Sequence, residues 1–215
     1  MIYPFWETLV RPVYLLWTRN IMGLENLPKD GPFIAAANHS SYYDTLLIPM
    51  ILIPFLGKKA TALVSSRYWK IPFANYVLNH GECIPVYIGK DKDTKNKNTE
   101  SLAKAADYLK KGNIIFMFPE GTRSYDGKLK KAHIGIAKLA LKARVPIVPF
   151  GIIDSHKVLP KGKVFPRFAR CEVKIGKPMY FEKYHKKKIN DKMLEDITID
   201  VMKQIGKLIG QNYNY

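Results

Sequence analysis

Acidic residues are scarce in this chain: 18 Asp and Glu stand against 35 Lys and Arg in 215 residues, a formal net charge of +17. That imbalance predicts attraction to an anionic surface, and nucleic acid and anionic lipid would both satisfy it. Signatures of nucleic-acid recognition are missing, with no helix-turn-helix, no zinc-finger spacing and no RNA-binding aromatic motif, which leaves lipid as the expected partner and no nucleic acid. Cysteine is nearly absent too. Cys83 and Cys171 lie far apart in apolar, strand-like contexts, which excludes a disulfide framework and predicts two reduced, buried thiols in a cytosol-facing protein. His80, His133, His156 and His185 show no metal-ligand spacing, so no metal is expected. A G-x-S-x-G elbow is also lacking, which argues against a serine hydrolase of that type.

No uninterrupted apolar run reaches the about 18 residues a membrane-spanning helix needs. The apolar amino terminus is broken by Pro4, Glu7, Arg11 and Pro12, and it lacks the basic start and cleavage site of a signal peptide. Phe5, Leu9, Val13 and Leu16 nevertheless fall along one helical stripe, with Trp6 and Trp17 beside it. Residues 1–22 are therefore expected to form an amphipathic helix lying in a membrane interface; a first helix packed on the domain is the alternative. Residues 23–215 are expected to form one domain, a length that suits a single α/β core. Peripheral or monotopic attachment at the cytoplasmic face of the cell membrane follows from the same reading.

Along the rest of the chain, apolar periodicity predicts strands at 32–37, 59–64, 83–88, 114–118, 147–151 and 168–175, the last at an edge. Helices are predicted at 44–55, 68–78, 99–111, 134–142 and 191–209, and the polar stretch 89–98 reads as an exposed loop. Strands alternating with helices at these intervals predict an α/β fold whose largely parallel sheet is flanked by helices.

Two motifs carry the chemistry. Asn38-His39-Ser40-Ser41-Tyr42-Tyr43-Asp44 offers a histidine, which titrates near physiological pH, and a carboxylate able to fix its tautomer. Five positions apart on one helix the two side chains would face differently, so the pairing requires His39 to follow a strand and Asp44 to open the next helix. Taken alone, His-x4-Asp suits a structural histidine as well as a base. Phe118-Pro119-Glu120-Gly121-Thr122-Arg123 likewise follows an apolar strand, with a glycine for a sharp turn and an arginine fork suited to phosphate. Ligand sites of such sheets lie at the carboxyl ends of the strands, which would bring His39, Asp44 and Arg123 together. Ser40 or Ser41 as a nucleophile beside His39 is the competing reading, disfavoured because sequence neighbours seldom face one another.

These two motifs, with Val145-Pro146-Ile147-Val148-Pro149 as a third, resemble the glycerophospholipid acyltransferase family over residues 24–155. The resemblance implies transfer of a fatty acyl chain from an acyl thioester, acyl-CoA or an acyl carrier protein, to the free hydroxyl of lysophosphatidate, giving phosphatidate on a phospholipid membrane without a resident cofactor. Glycerol 3-phosphate or another lysophospholipid is the alternative acceptor, and a non-enzymatic basic membrane-binding module the alternative class. His39 and Asp44 are implied as the catalytic pair. Glu120, Gly121, Thr122 and Arg123 are implied in acceptor binding, although Glu120 could equally brace Arg123 or cap the following turn. Where the family places an arginine after its second apolar motif this chain has Ile88, leaving Lys90 as the nearest cation. Arg67 and Lys70 precede Ile71-Pro72-Phe73 out of register with the lysine many members carry there.

Overall fold

The computed structural model describes residues 11–89, 91–184 and 187–215. The proposed stripe through Phe5, Trp6 and Leu9 lies outside the described residues, as does Lys90. Seven strands form one sheet: β1 (Thr18–Met22), β2 (Ile34–Ala37), β3 (Ala60–Ser65), β4 (Ile84–Val86), β5 (Ile114–Met117), β6 (Ile147–Ile153) and β7 (Cys171–Ile175), in the spatial order β1-β7-β6-β2-β5-β3-β4. Neighbours run parallel except β6 and β7, which pair antiparallel.

The central strand β2 is buried on both faces, as a parallel strand covered by helices must be. Alternation then sorts its side chains. Ile34 and Ala36 belong to one core with Ile115 and Ile147, covered by α4 (Lys92–Lys110), α5 (Gly135–Ala143) and α7 (Asp191–Ile209). Phe33, Ala35 and Ala37 belong to the other, packed with Leu47, Ile48, Ile51 and Leu52 of α2 (Tyr43–Leu56). The opposite side of α2, including Leu46, Pro49, Met50 and Ile53, borders a cleft. That arrangement explains why the helix reads as apolar on every face.

Five expectations need correction. Residues 18–22, assigned above to the amino-terminal helix, are strand β1; the described helix of that segment, α1, is Arg11–Leu15. The polar pair Arg19 and Asn20 hides the strand from periodicity, and pairing with β7 supplies its hydrogen bonds. As a result β7 is an interior strand and β1 the edge. The segment 89–98 is largely helix, because Asp91 caps α4 by accepting from Thr94 N at 2.8 Å. Lys92, Lys95 and Lys97 face water, Lys97 pairs with Asp93, and Asn98 Nδ2 bonds the Tyr87 carbonyl; charge density alone therefore misreads it as a loop. The helix expected at 68–78 is a 3-10 turn, Ser66–Lys70, followed by α3 (Pro72–His80), split where Pro72 takes the first helical position. Cys171 is buried as expected and burial pushes its thiol up to about 11, whereas Cys83 is only half-buried.

Candidate active site

β2 and β5 are parallel neighbours, so the segments that leave their carboxyl ends emerge side by side. Beyond β2, Asn38 is buried and its amide bonds both sides of one residue of β6: Nδ2 donates to Ile152 O at 2.8 Å and Oδ1 accepts from Ile152 N at 2.7 Å. This fixes the direction in which His39 leaves the sheet. From the first turn of α2, Asp44 reaches back. Its Oδ2 accepts from Ser40 N at 2.9 Å and Ser41 N at 2.8 Å, and lies 2.9 Å from His39 Nδ1. Asp44 is fully buried and the His39 side chain only 12% exposed, with the ring stacked on Phe118 at 3.9 Å between centroids. A carboxylate holding Nδ1–H leaves Nε2 as the basic nitrogen, so the pair is arranged to accept a proton from something in the cleft that His39 lines.

Glu120 sits behind this pair rather than in the cleft. It is 2% exposed, and its two oxygens accept from His39 N at 2.9 Å and Lys130 N at 2.8 Å. In this structure Glu120 braces the His39 backbone, not Arg123. Ser124 N donates to His39 O at 2.8 Å, so the second motif holds both backbone groups of the histidine. Burial pushes the Glu120 carboxyl up to about 7, against the pull of the two N–H donors and of the Lys130 charge. The unfolded chain ionises this group near 4.5, so between about 4.5 and 7 the folded protein binds more protons, and Glu120 lowers stability as pH rises through that window. Glu120→Gln should flatten this dependence. It should also lower activity roughly tenfold or more, because an amide accepts with one oxygen only and leaves a buried N–H unpaired at a cost of about 1–3 kcal/mol. Thermal unfolding against pH, with turnover at each pH, reads both effects; an unchanged slope would refute the assignment.

Gly121 takes φ +64, and a Cβ there would lie 3.1 Å from His133 Cδ2, so the turn favours glycine and leaves Gly121 and Thr122 exposed at the cleft. The same turn carries Arg123 inward. Its guanidinium lies 3.4 Å from the centre of the Tyr42 ring, the residue is 9% exposed, and Nη1 has no hydrogen-bond partner among the described residues. A buried guanidinium donor left unpaired at a cleft wall is suited to receive an anion. Tyr42 Oη lies 3.2 Å from Tyr68 Oη, which accepts from Arg67 Nη2 at 3.2 Å. Arg67 also lines the cleft. Its position, out of register with the family's lysine, gives no sign of this in the sequence, and the spacing Tyr42 to Tyr68 gives no signal that the two rings meet. Ile88 lines the same cleft, 77% exposed.

The cleft measures about 2010 Å³ and runs from His39 and Arg123 along the apolar side of α2 to β3, β4 and α3. It offers a base and a cation at one end and an aliphatic wall beyond. Ser40 Oγ lies 2.8 Å from Ser155 Oγ, and Ser41 Oγ donates to Leu159 O at 2.7 Å, so both serine hydroxyls are engaged away from His39.

The sequence profile of a family described as Acyltransferase matches residues 18–153. A Brassica napus protein, 1-acyl-sn-glycerol-3-phosphate acyltransferase BAT2, chloroplastic, is 32% identical over 186 residues, 85% of this chain and 48% of that protein. A 1-acyl-sn-glycerol-3-phosphate acyltransferase of Saccharomyces cerevisiae is 32% identical over 192 residues, covering 86% of this chain and 60% of that protein. This chain thus spans about half the length of these curated relatives. The crystal structure of the 1-acyl-sn-glycerophosphate acyltransferase PlsC from Thermotoga maritima superimposes with a TM-score of 0.66 at 24% identity, over 95% of this chain and 79% of that one, and shows the shared fold.

Proposed function

This chain belongs to the acyltransferase family, and we propose that it moves a fatty acyl group from a thioester to the free hydroxyl of lysophosphatidate, forming phosphatidate in phospholipid biosynthesis. The observation that carries this reading is the placement of a carboxylate-held histidine beside a buried arginine donor, unpaired among the described residues, at the head of a long apolar-walled cleft. His39 Nε2 takes the hydroxyl proton as the oxygen attacks the thioester carbon. Asp44 steadies the imidazolium that results, and the tetrahedral oxyanion then collapses. The carbon–sulfur bond breaks, and the thiolate leaves and takes up the proton. A thiolate is a good leaving group, so positioning the two substrates is the main task and no resident cofactor enters. Arg123 receives the phosphate as a planar fork, with Arg67 supplying a second cation across the tyrosine pair. The acyl chains lie along α2, and the donor is acyl-CoA or an acyl carrier protein. The protein acts at the cytoplasmic face of a membrane; among the described residues no helix is long and apolar enough to cross one.

Purified protein given a long-chain acyl-CoA should release free thiol only when lysophosphatidate is added, with phosphatidate appearing in equal amount. A panel including glycerol 3-phosphate and lysophospholipids with larger headgroups should rank lysophosphatidate first. Failure of every acceptor to elicit thiol release from both acyl-CoA and acyl-loaded acyl carrier protein would sink the enzymatic reading, and a better acceptor without a phosphomonoester would sink the lysophosphatidate assignment alone.

A further inference from the structure

Between α6 (Ser155–Val158) and β7 the chain makes an excursion that nothing in the reaction requires. Arg167 N donates to Val158 O at 2.8 Å and closes it at the base, and Lys163 N donates to Pro160 O at 3.0 Å across a turn where Gly162 takes φ +88. A compact loop with joined ends results. Its apolar side chains point away from the protein: Val164 is 82% exposed, Phe165 82% and Phe168 111%. Lys161, Lys163, Arg167 and Arg170 surround them, and residues 160–170 contain no acidic side chain. Three large apolar groups at such exposure form a patch that needs a partner, and the four cations say what charge that partner carries.

We propose that this loop docks on the surface of an anionic phospholipid bilayer, with Phe165, Phe168 and Val164 entering the headgroup boundary and the basic side chains contacting lipid phosphates. Apolar insertion combined with a basic rim is the pairing that gives durable peripheral attachment, because either contribution alone is weak. The loop is also tied to the working end of the molecule. Leu159, at its start, accepts the Ser41 hydroxyl of the first motif at 2.7 Å; Trp17 Nε1 donates to Arg167 O at 3.0 Å; Lys161 lines the cleft and lies 3.8 Å from the centre of the Tyr125 ring. Docking there holds the cleft mouth close to the lipid surface. This inference concerns attachment and does not depend on the acceptor assigned above.

The test uses the full chain and sedimentation with phosphatidylcholine vesicles, with and without phosphatidylglycerol. Phe165→Ser with Phe168→Ser should reduce partition onto the anionic vesicles about tenfold or more, since apolar burial supplies the insertion. Lys163→Glu with Arg170→Glu should weaken the preference for phosphatidylglycerol severalfold, more than the same reversals at two lysines far from the loop. Both double variants should keep the wild-type unfolding temperature and turn over a short-chain, water-soluble acceptor normally. As a local readout, Phe165→Trp should add to the wild-type spectrum a tryptophan emission that shifts blue on anionic vesicles and is quenched by brominated acyl chains. Unchanged partition in the serine variant, or a residue 165 emission untouched by brominated lipid, would overturn the proposal. So would a defect confined to acyl carrier protein as donor, because the surface would then serve an acidic protein.

Discussion

Replacing His39 by alanine is expected to cut acyl transfer about a hundred- to ten-thousandfold, the range typical of a lost general base, while the protein stays folded. The reason it stays folded lies in Asp44. Without the imidazole its Oδ2 still accepts from Ser40 N and Ser41 N, so the start of α2 keeps its cap. The cavity left over Phe118 is partly open to the cleft. Asp44→Asn should reduce turnover to a similar extent by a different route: the amide cannot stabilise an imidazolium and can present N–H toward His39 Nδ1, which would move the ring proton to Nε2, the nitrogen that must be free. It should also lower thermal stability. Asp44 is fully buried and three donors converge on its Oδ2; a neutral amide oxygen accepts them more weakly than a carboxylate, and the amide N–H would fall where Oδ1 has no partner among the described residues. Single-turnover thiol release alongside thermal unfolding separates the two effects. Near-normal turnover in a folded His39→Ala variant would remove the proposed mechanism.

Much of this site is visible in the sequence because both motifs sit where one kind of structure passes into another. A histidine that follows a buried strand and an aspartate that opens an apolar helix can be paired on paper, since the alternative of one continuous helix would part them. The closing helix α7 runs over the predicted residues, with apolar side chains at helical spacing and Asn190 accepting from Met193 N as its cap. What stayed hidden depends on contacts between distant segments. β1 has almost no pattern of its own and exists as a strand because β7 offers it an edge. Glu120 looks like a ligand group in a basic motif, yet its role is set by two backbone N–H groups, one of them 81 residues away. The Tyr42 and Tyr68 pair, and with it the place of Arg67, is a consequence of how α2 and the turn after β3 face each other across the cleft. In the Phe165 loop only its end carries a signal, and there Phe168 reads as the start of a strand that in fact begins at Cys171.

Arg123→Ala should raise the apparent KM for lysophosphatidate about ten- to a hundredfold, the equivalent of one or two charge-assisted hydrogen bonds, with little change in KM for the acyl donor. Its Nη1 is buried and has no partner among the described residues, and Ile88 stands where a further cation was expected, so under the proposed function this guanidinium should carry the largest share of phosphate recognition. Arg123→Lys should recover only part of the loss: an ammonium restores the charge but neither the fork nor the flat stacking on Tyr42. Arg67→Ala should raise the same constant by a smaller factor, because Arg67 is more exposed and already spends one donor on Tyr68. Tyr42→Phe keeps the ring beneath Arg123 but breaks the link to Tyr68, so it separates the two contributions. It should leave the Arg123 effect intact and reduce that of Arg67. If Arg123→Ala lowered kcat with an unchanged KM for lysophosphatidate, the arginine would be acting on the reacting centre, and the phosphate would have to be held by other groups in the cleft.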